Sequence, residues 1–94
     1  MKIYKNIVDH YGKEKQIQKT IKKLALLNIA LIQNDDIENI KETIVDVEIM
    51  IEQLKEIYSI KVETSLLHME KITEIKRMMQ NEVDEKEIRE GMLI

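Results

Sequence analysis

A chain of 94 residues, 44% of them hydrophobic, fits one small domain, and three Tyr with no Phe or Trp leave Ile, Leu, Val and Met to build its core. The absence of Cys excludes disulfides and thiolate metal sites. The net charge of −3 is unevenly spread, since residues 1–23 hold seven Lys against Asp9 and Glu14, giving +5, and residues 24–94 carry −8.

There is no Pro, and the only Gly residues are Gly12 and Gly91. These two residue types are the main helix breakers, so their absence from Lys13 to Glu90 predicts an all-helical chain. A first segment, from Ile3 to His10, carries Ile3, Ile7 and Val8 and stops at Tyr11-Gly12. A second helix is expected from Lys13 to Gln33, with Ile17, Ile21, Leu24, Leu27 and Leu31 at helical spacing. From Leu24 to Ile32 only Asn28 is polar, a pattern that predicts a helix buried all round.

The next connection is Gln33-Asn34-Asp35-Asp36, where Asp35 is the expected N-cap, with Glu38 completing a capping box. The third helix then runs to Tyr58, with Ile37, Ile40, Ile44, Val47, Ile51 and Leu54 on one stripe. Val45, Ile49 and Met50 widen that stripe, which marks this helix as central. Ser59 is expected to cap a fourth helix, Ile60 to Gln80, carrying Leu66, Met69, Ile72, Ile75 and Met79. Asp84 and Glu87 form a further cap pattern before a short fifth helix ending at Gly91, and Met92-Leu93-Ile94 is an apolar end. Short loops between helices of this length predict antiparallel neighbours in a four-helix bundle.

Two carboxylates, Asp46 and Glu48, interrupt the apolar run from Ile44 to Ile51. A carboxylate among aliphatic side chains needs a cation, a metal ion or water, because a bare buried charge costs several kcal/mol, roughly. From the pattern alone an ion pair is the preferred partner.

The run ETIVDVEIMIEQLKEIYSI, from Glu42 to Ile60, resembles the MazG-like nucleoside triphosphate pyrophosphohydrolases, particularly the short versions found in phages and Gram-positive bacteria. The opening IYKNIVDHYGKEKQIQKTI and the segment MEKITEIKRMM fit the same resemblance, which covers roughly residues 3–80. It implies a MazG-like helical domain over 1–80, an all-α bundle completed as a homodimer or homotetramer, and residence in the bacterial cytoplasm; the remaining 81–94 reads as an acidic C-terminal extension, a short helix or partly disordered. It also implies hydrolysis of a nucleotide to a monophosphate and pyrophosphate, with Mg²⁺ held by E-E-x-x-E on one helix and E-x-x-D on the next. Residues three apart on a helix share a face, so two such helices bring four carboxylates to one cleft. Hard oxygen ligands suit Mg²⁺, which neutralises phosphate and activates water.

Laid on this chain, the first motif falls on Lys22, Lys23 and Leu26 and the second on Thr43 and Asp46. Only Asp46 keeps a ligand. An ammonium has donors and no acceptor, so it cannot bind a cation. No catalytic residue, metal or cofactor is therefore expected, and Lys23 or Lys22 is expected to pair with Asp46 where the resemblance puts the metal.

Three readings follow. The first is a non-enzymatic protein that acts on a host or phage protein as inhibitor, decoy or regulator, with Glu82 to Glu90 and Met92 to Ile94 as candidate contact surfaces. The second is metal-free nucleotide binding by Lys15, Lys19, Lys22, Lys23 and Lys71, a set of candidate phosphate ligands. The third is an active Mg²⁺-dependent pyrophosphohydrolase using Glu42, Asp46 and Glu48 in a shifted register. No aromatics are interleaved with the lysines to stack bases, so nucleic acid is not an expected partner. No apolar run approaches the ~18 residues of a membrane span, so no membrane association is expected. His68 reads as a packing or surface residue, and the six Met as gap fillers in an aromatic-poor core.

Overall fold

The computed structural model describes residues 2–92 and is helical throughout, apart from Lys2, Gly12 and two short connections. Four helices follow in order: α1 (Ile3–Tyr11), α2 (Lys13–Ile32), α3 (Ile37–Tyr58) and α4 (Lys61–Met92). The chain divides into two compact units, Met1–Ile60 and Lys61–Ile94. The expected division at residue 80 thus falls inside an uninterrupted helix.

In the first unit α3 packs against both α2 and α1. Gly12 makes the α1–α2 corner at φ 97° and ψ 147°, a backbone state closed to most L residues. Its N–H donates to the carbonyl of Val8, at 2.8 Å, which satisfies the end of α1.

At the start of α3 the cap is one residue later than expected. Asp36, not Asp35, takes the extended N-cap conformation, and its Oδ1 accepts from the Asn39 N–H at 2.9 Å. Asp35 binds the same residue from the side, its Oδ2 accepting from Asn39 Nδ2 at 2.7 Å. Glu38 does not close a capping box; it pairs with Lys41 at 3.0 Å. Ser59 is also corrected. It ends α3 in the left-handed conformation, φ 54°, rather than opening the fourth helix.

The hydrophobic core of this unit is small. Val8, Ala30, Val47 and Met50 are its buried apolar residues, and they share the interior with Gln16, Thr20 and Gln53. Leu24 to Ile32 is not buried all round. Only Ala30 is buried there and Leu27 half-buried, whereas Leu24, Leu26, Ile29, Leu31 and Ile32 are exposed. The reason is which stripe of α2 faces α3. Gln16, Thr20, Lys23, Leu27 and Ala30, spaced four and three apart, form the inward seam. Of the expected stripe, Leu27 lies on that seam, while Ile17, Ile21, Leu24 and Leu31 lie roughly 100° round the helix from it.

The second unit is one helix. Of its described side chains only Thr64 is half-buried and the rest are exposed. The expected break after Gln80 and the separate fifth helix do not occur, because no Pro or Gly interrupts the backbone until Gly91. The apolar end Met92-Leu93-Ile94 lies outside the described side chains. Among the described residues no helix is long and apolar enough to cross a membrane.

Candidate functional site

Two polar links join α2 to α3. Near the start of α2, Gln16 Nε2 donates to Gln53 Oε1 at 2.6 Å, with both side chains almost fully buried. Two turns further along α2, Lys23 Nζ meets Asp46 Oδ2 at 3.1 Å. The link further along α2 is the one nearer the start of α3. Each link joins positions seven apart on its own helix, which keeps both on one seam.

The Lys23–Asp46 pair is the expected one, and Lys23 rather than Lys22 makes it. It is half-shielded: the side chains retain 26% and 43% of their exposure. At that degree of exposure solvent screens the attraction, and the pair contributes up to about 1 kcal/mol. Thr43 lies one turn before Asp46 on the same side and is half-buried. Its Oγ1 donates to the carbonyls of Asn39 and Ile40, both at 3.0 Å, so its hydroxyl is taken up within its own helix. Lys22 and Leu26 are exposed and point away from the seam. Of the five singled-out positions the structure joins Lys23 to Asp46, and Thr43 stands one turn from Asp46 on the same helix. Glu42 and Glu48 are exposed and do not join them.

A cavity of about 240 Å³ opens beside the ion pair, where the end of α1 covers the seam. Ile7, Tyr11, Ile49 and Met50 supply its apolar wall, and Lys19, Lys23, Asp46, Gln16 and Gln53 its polar one. Lys19 Nζ stands 5.9 Å from the Tyr11 ring centroid, within cation–π reach. Tyr11 in turn meets the His10 ring edge-on, at 4.6 Å between centroids. On the neighbouring surface Lys15, Lys19, Lys22 and Lys23 line one shallow basic cleft with Tyr11. Lys71 belongs to the second unit. His68 is exposed.

The buried polar pair Gln16–Gln53 escapes a reading of the sequence, which follows apolar residues. The available signal was spacing: Gln16, Thr20 and Lys23 continue the seam of Leu27 and Ala30 backwards by fours and threes. Thr20 hides its hydroxyl by donating to the Gln16 carbonyl at 2.7 Å, which makes it compatible with burial.

Among the described residues no three His, Asp or Glu side chains converge in a way that holds a metal ion. Comparison with family models, curated proteins and solved structures gave no match.

Proposed function

We propose that this chain is a MazG-like helical frame whose metal site has been replaced by an interhelical ion pair, and that it acts by binding a protein rather than by hydrolysing a nucleotide. The observation that carries this reading is the Lys23 Nζ–Asp46 Oδ2 contact of 3.1 Å. Asp46 is the one family ligand position that still bears a carboxylate, and the ammonium engages it from the facing helix. A divalent ion entering here would have to displace Lys23 and would meet a second cation, Lys19, across the same cavity. Positive charge on two sides of Asp46 opposes metal binding.

In this reading the frame is an antiparallel four-helix bundle completed by oligomerisation. The acidic stretch Glu82 to Glu90, exposed along α4, is the candidate surface for a basic groove on a host or phage protein. Nucleotide binding without metal is the second reading. The Lys15, Lys19, Lys22 and Lys23 cleft favours it, because four ammonium groups around one hollow match a polyphosphate in charge.

The deciding experiment is a Mn²⁺ titration followed by a pyrophosphate-release assay on deoxynucleoside triphosphates. The native chain is expected to bind no Mn²⁺ and release no pyrophosphate. The combined variant Lys23→Glu, Thr43→Glu removes the ammonium, adds carboxylates beside Asp46 and is expected to gain Mn²⁺ binding. Pyrophosphate release by the native chain, abolished by Asp46→Ala, overturns the proposal. Binding of nucleoside triphosphate in the absence of metal, weakened by Lys15→Ala and Lys22→Ala, selects the second reading instead.

A further inference from the structure

The cavity beside the ion pair runs between the two polar links. Asp46 and Gln53 are seven residues apart on α3, as are Lys23 and Gln16 on α2, so the links stand about 10 Å apart along the helices. Met50 lies between them on α3 and is 3% exposed. With Ile49 it lines the α3 side of the space, and Ile7 and Tyr11 line it from α1. The result is a slot with an ionic end, an amide end and an apolar middle.

Neither end is saturated. Lys23 gives one hydrogen bond to Asp46, and an ammonium group has three donors. Lys19 has no acidic partner among the described residues, and its Nζ stands 5.9 Å from the Tyr11 ring. At the other end the Gln16–Gln53 bond uses the Gln53 oxygen and one Gln16 N–H. Gln16 Oε1 accepts no hydrogen bond from a described residue. Among the described residues no side-chain oxygen left without a partner is sealed from solvent. Gln16 lines the cavity, which gives this acceptor a place to be used.

The charge of the lining selects the ligand class. Two ammonium groups, Lys19 and Lys23, and one carboxylate, Asp46, leave a surplus of one positive charge. A cation is repelled. A phosphate monoester, at about −1.5 to −2 near neutral pH, overshoots. A polyphosphate finds its match in the outer cleft of Lys15, Lys19, Lys22 and Lys23 instead. A carboxylate carries one negative charge and offers two acceptor oxygens, one for each ammonium. Volume sets the rest. An apolar cavity of ~150 Å³ admits benzene, so the cavity of about 240 Å³ holds one ring with a small polar group at each end.

We propose that this slot binds a small monocarboxylic acid with a single apolar ring and a hydroxyl group opposite the carboxylate. The carboxylate bridges Lys19 Nζ and Lys23 Nζ, the ring lies between Met50 and Tyr11, and the hydroxyl donates to Gln16 Oε1. The Lys23–Asp46 contact stays in place, because it uses only one of the three ammonium donors. This ligand site goes beyond the protein-binding reading and does not depend on it.

Calorimetric titration of the full chain with 4-hydroxybenzoate, in a metal-free buffer that contains no carboxylate, tests the proposal. One ligand per chain is expected, at submillimolar affinity. Benzoate, which lacks the hydroxyl, is expected to bind severalfold more weakly. The neutral analogue 4-hydroxybenzyl alcohol is expected to bind about tenfold more weakly, because it forgoes the charge-assisted bonds. Lys19→Gln is expected to weaken 4-hydroxybenzoate about tenfold and to leave the alcohol unchanged. Lys19 is exposed, so this variant keeps its fold, which circular dichroism checks. Lys15 and Lys22 line only the outer cleft, so the double variant Lys15→Ala, Lys22→Ala is expected to retain native affinity for the acid.

The absence of saturable heat at millimolar 4-hydroxybenzoate overturns the proposal. So does equal binding of the acid and the alcohol. A loss in the Lys15→Ala, Lys22→Ala variant as large as that in Lys19→Gln also overturns it, since the anion then sits in the outer cleft. Failure of the metal reading is seen separately, as pyrophosphate release, and leaves these affinities unchanged.

Discussion

Replacing either buried glutamine alone should harm the protein more than replacing both. Gln16 is 3% exposed and Gln53 2%, and the 2.6 Å bond between them is the main polar contact each side chain makes across the seam. Gln53→Leu keeps the volume close to constant and removes the acceptor, which leaves the Gln16 amide N–H buried without a partner. Gln16→Leu leaves the Gln53 carbonyl oxygen in the same position. An orphaned buried polar group costs about 1–3 kcal/mol, so each single variant should lose about 2 kcal/mol. Gln53→Leu also gives up a weak contact from Nε2 to Met50 Sδ at 3.6 Å.

With both positions Leu, no orphan remains and the two apolar side chains pack on each other beside Met50 and Val47. The double variant should fall within about 1 kcal/mol of the native chain, so the single losses should exceed the double loss by about 3 kcal/mol. For a chain of this size 1 kcal/mol moves the melting temperature by about 4–8 °C, so each single variant should melt roughly 8–16 °C lower. Far-UV circular dichroism melts, at one fixed protein concentration because self-association adds to stability, read all four proteins. Losses that simply add would refute the reasoning, for they would mean that the two amides do not depend on each other.

Four further outcomes follow from local geometry. Asp46→Ala should lower stability by no more than about 1 kcal/mol, since the Lys23 contact is partly solvent-screened, and a urea titration checks this. Gly12→Ala should cost about 1–3 kcal/mol from backbone strain alone, because no atom lies within 4 Å of the added Cβ. A D-alanine at the same position, introduced by chemical synthesis, should restore the melting temperature. Asp36→Ala should cost about 1 kcal/mol and raise amide hydrogen exchange at Asn39, whereas Asp35→Ala, which removes only a side-chain contact, should cost less. Ser59→Gly should stabilise the chain by up to about 1 kcal/mol by relieving the left-handed conformation that ends α3, measurable as a higher melting temperature.

Helix content and most helix boundaries were legible in the sequence. Breaker residues act locally, so Gly12 marked the α1–α2 corner and the polar run from Gln33 to Asp36 marked the next. An ion pair at Asp46 was legible from its place in an apolar run, whereas its partner was narrowed to Lys22 or Lys23 only by the resemblance, and Glu48 in the same run is exposed. The cap was placed one residue early, because Asp35 and Asp36 are equivalent by type and differ only in backbone conformation. The fifth helix was expected from a cap pattern at Asp84 and Glu87, but a cap signal starts a new helix only where the preceding one stops.

Local chemistry determined that this chain is helical, where its corners fall and that Asp46 requires a positive partner, since each depends on neighbours within a few residues. Tertiary packing alone decided which of two stripes on α2 turned inward. It chose the seam of Gln16, Thr20 and Lys23 because Gln53 and Asp46 on α3 satisfy Gln16 and Lys23, while Thr20 bonds the Gln16 carbonyl within α2. The more apolar stripe of Ile21, Leu24 and Leu31 was left outside. Hydrophobic spacing shows that a face must be covered but cannot say by what, because burial in water's absence is equally favourable against the same chain or another.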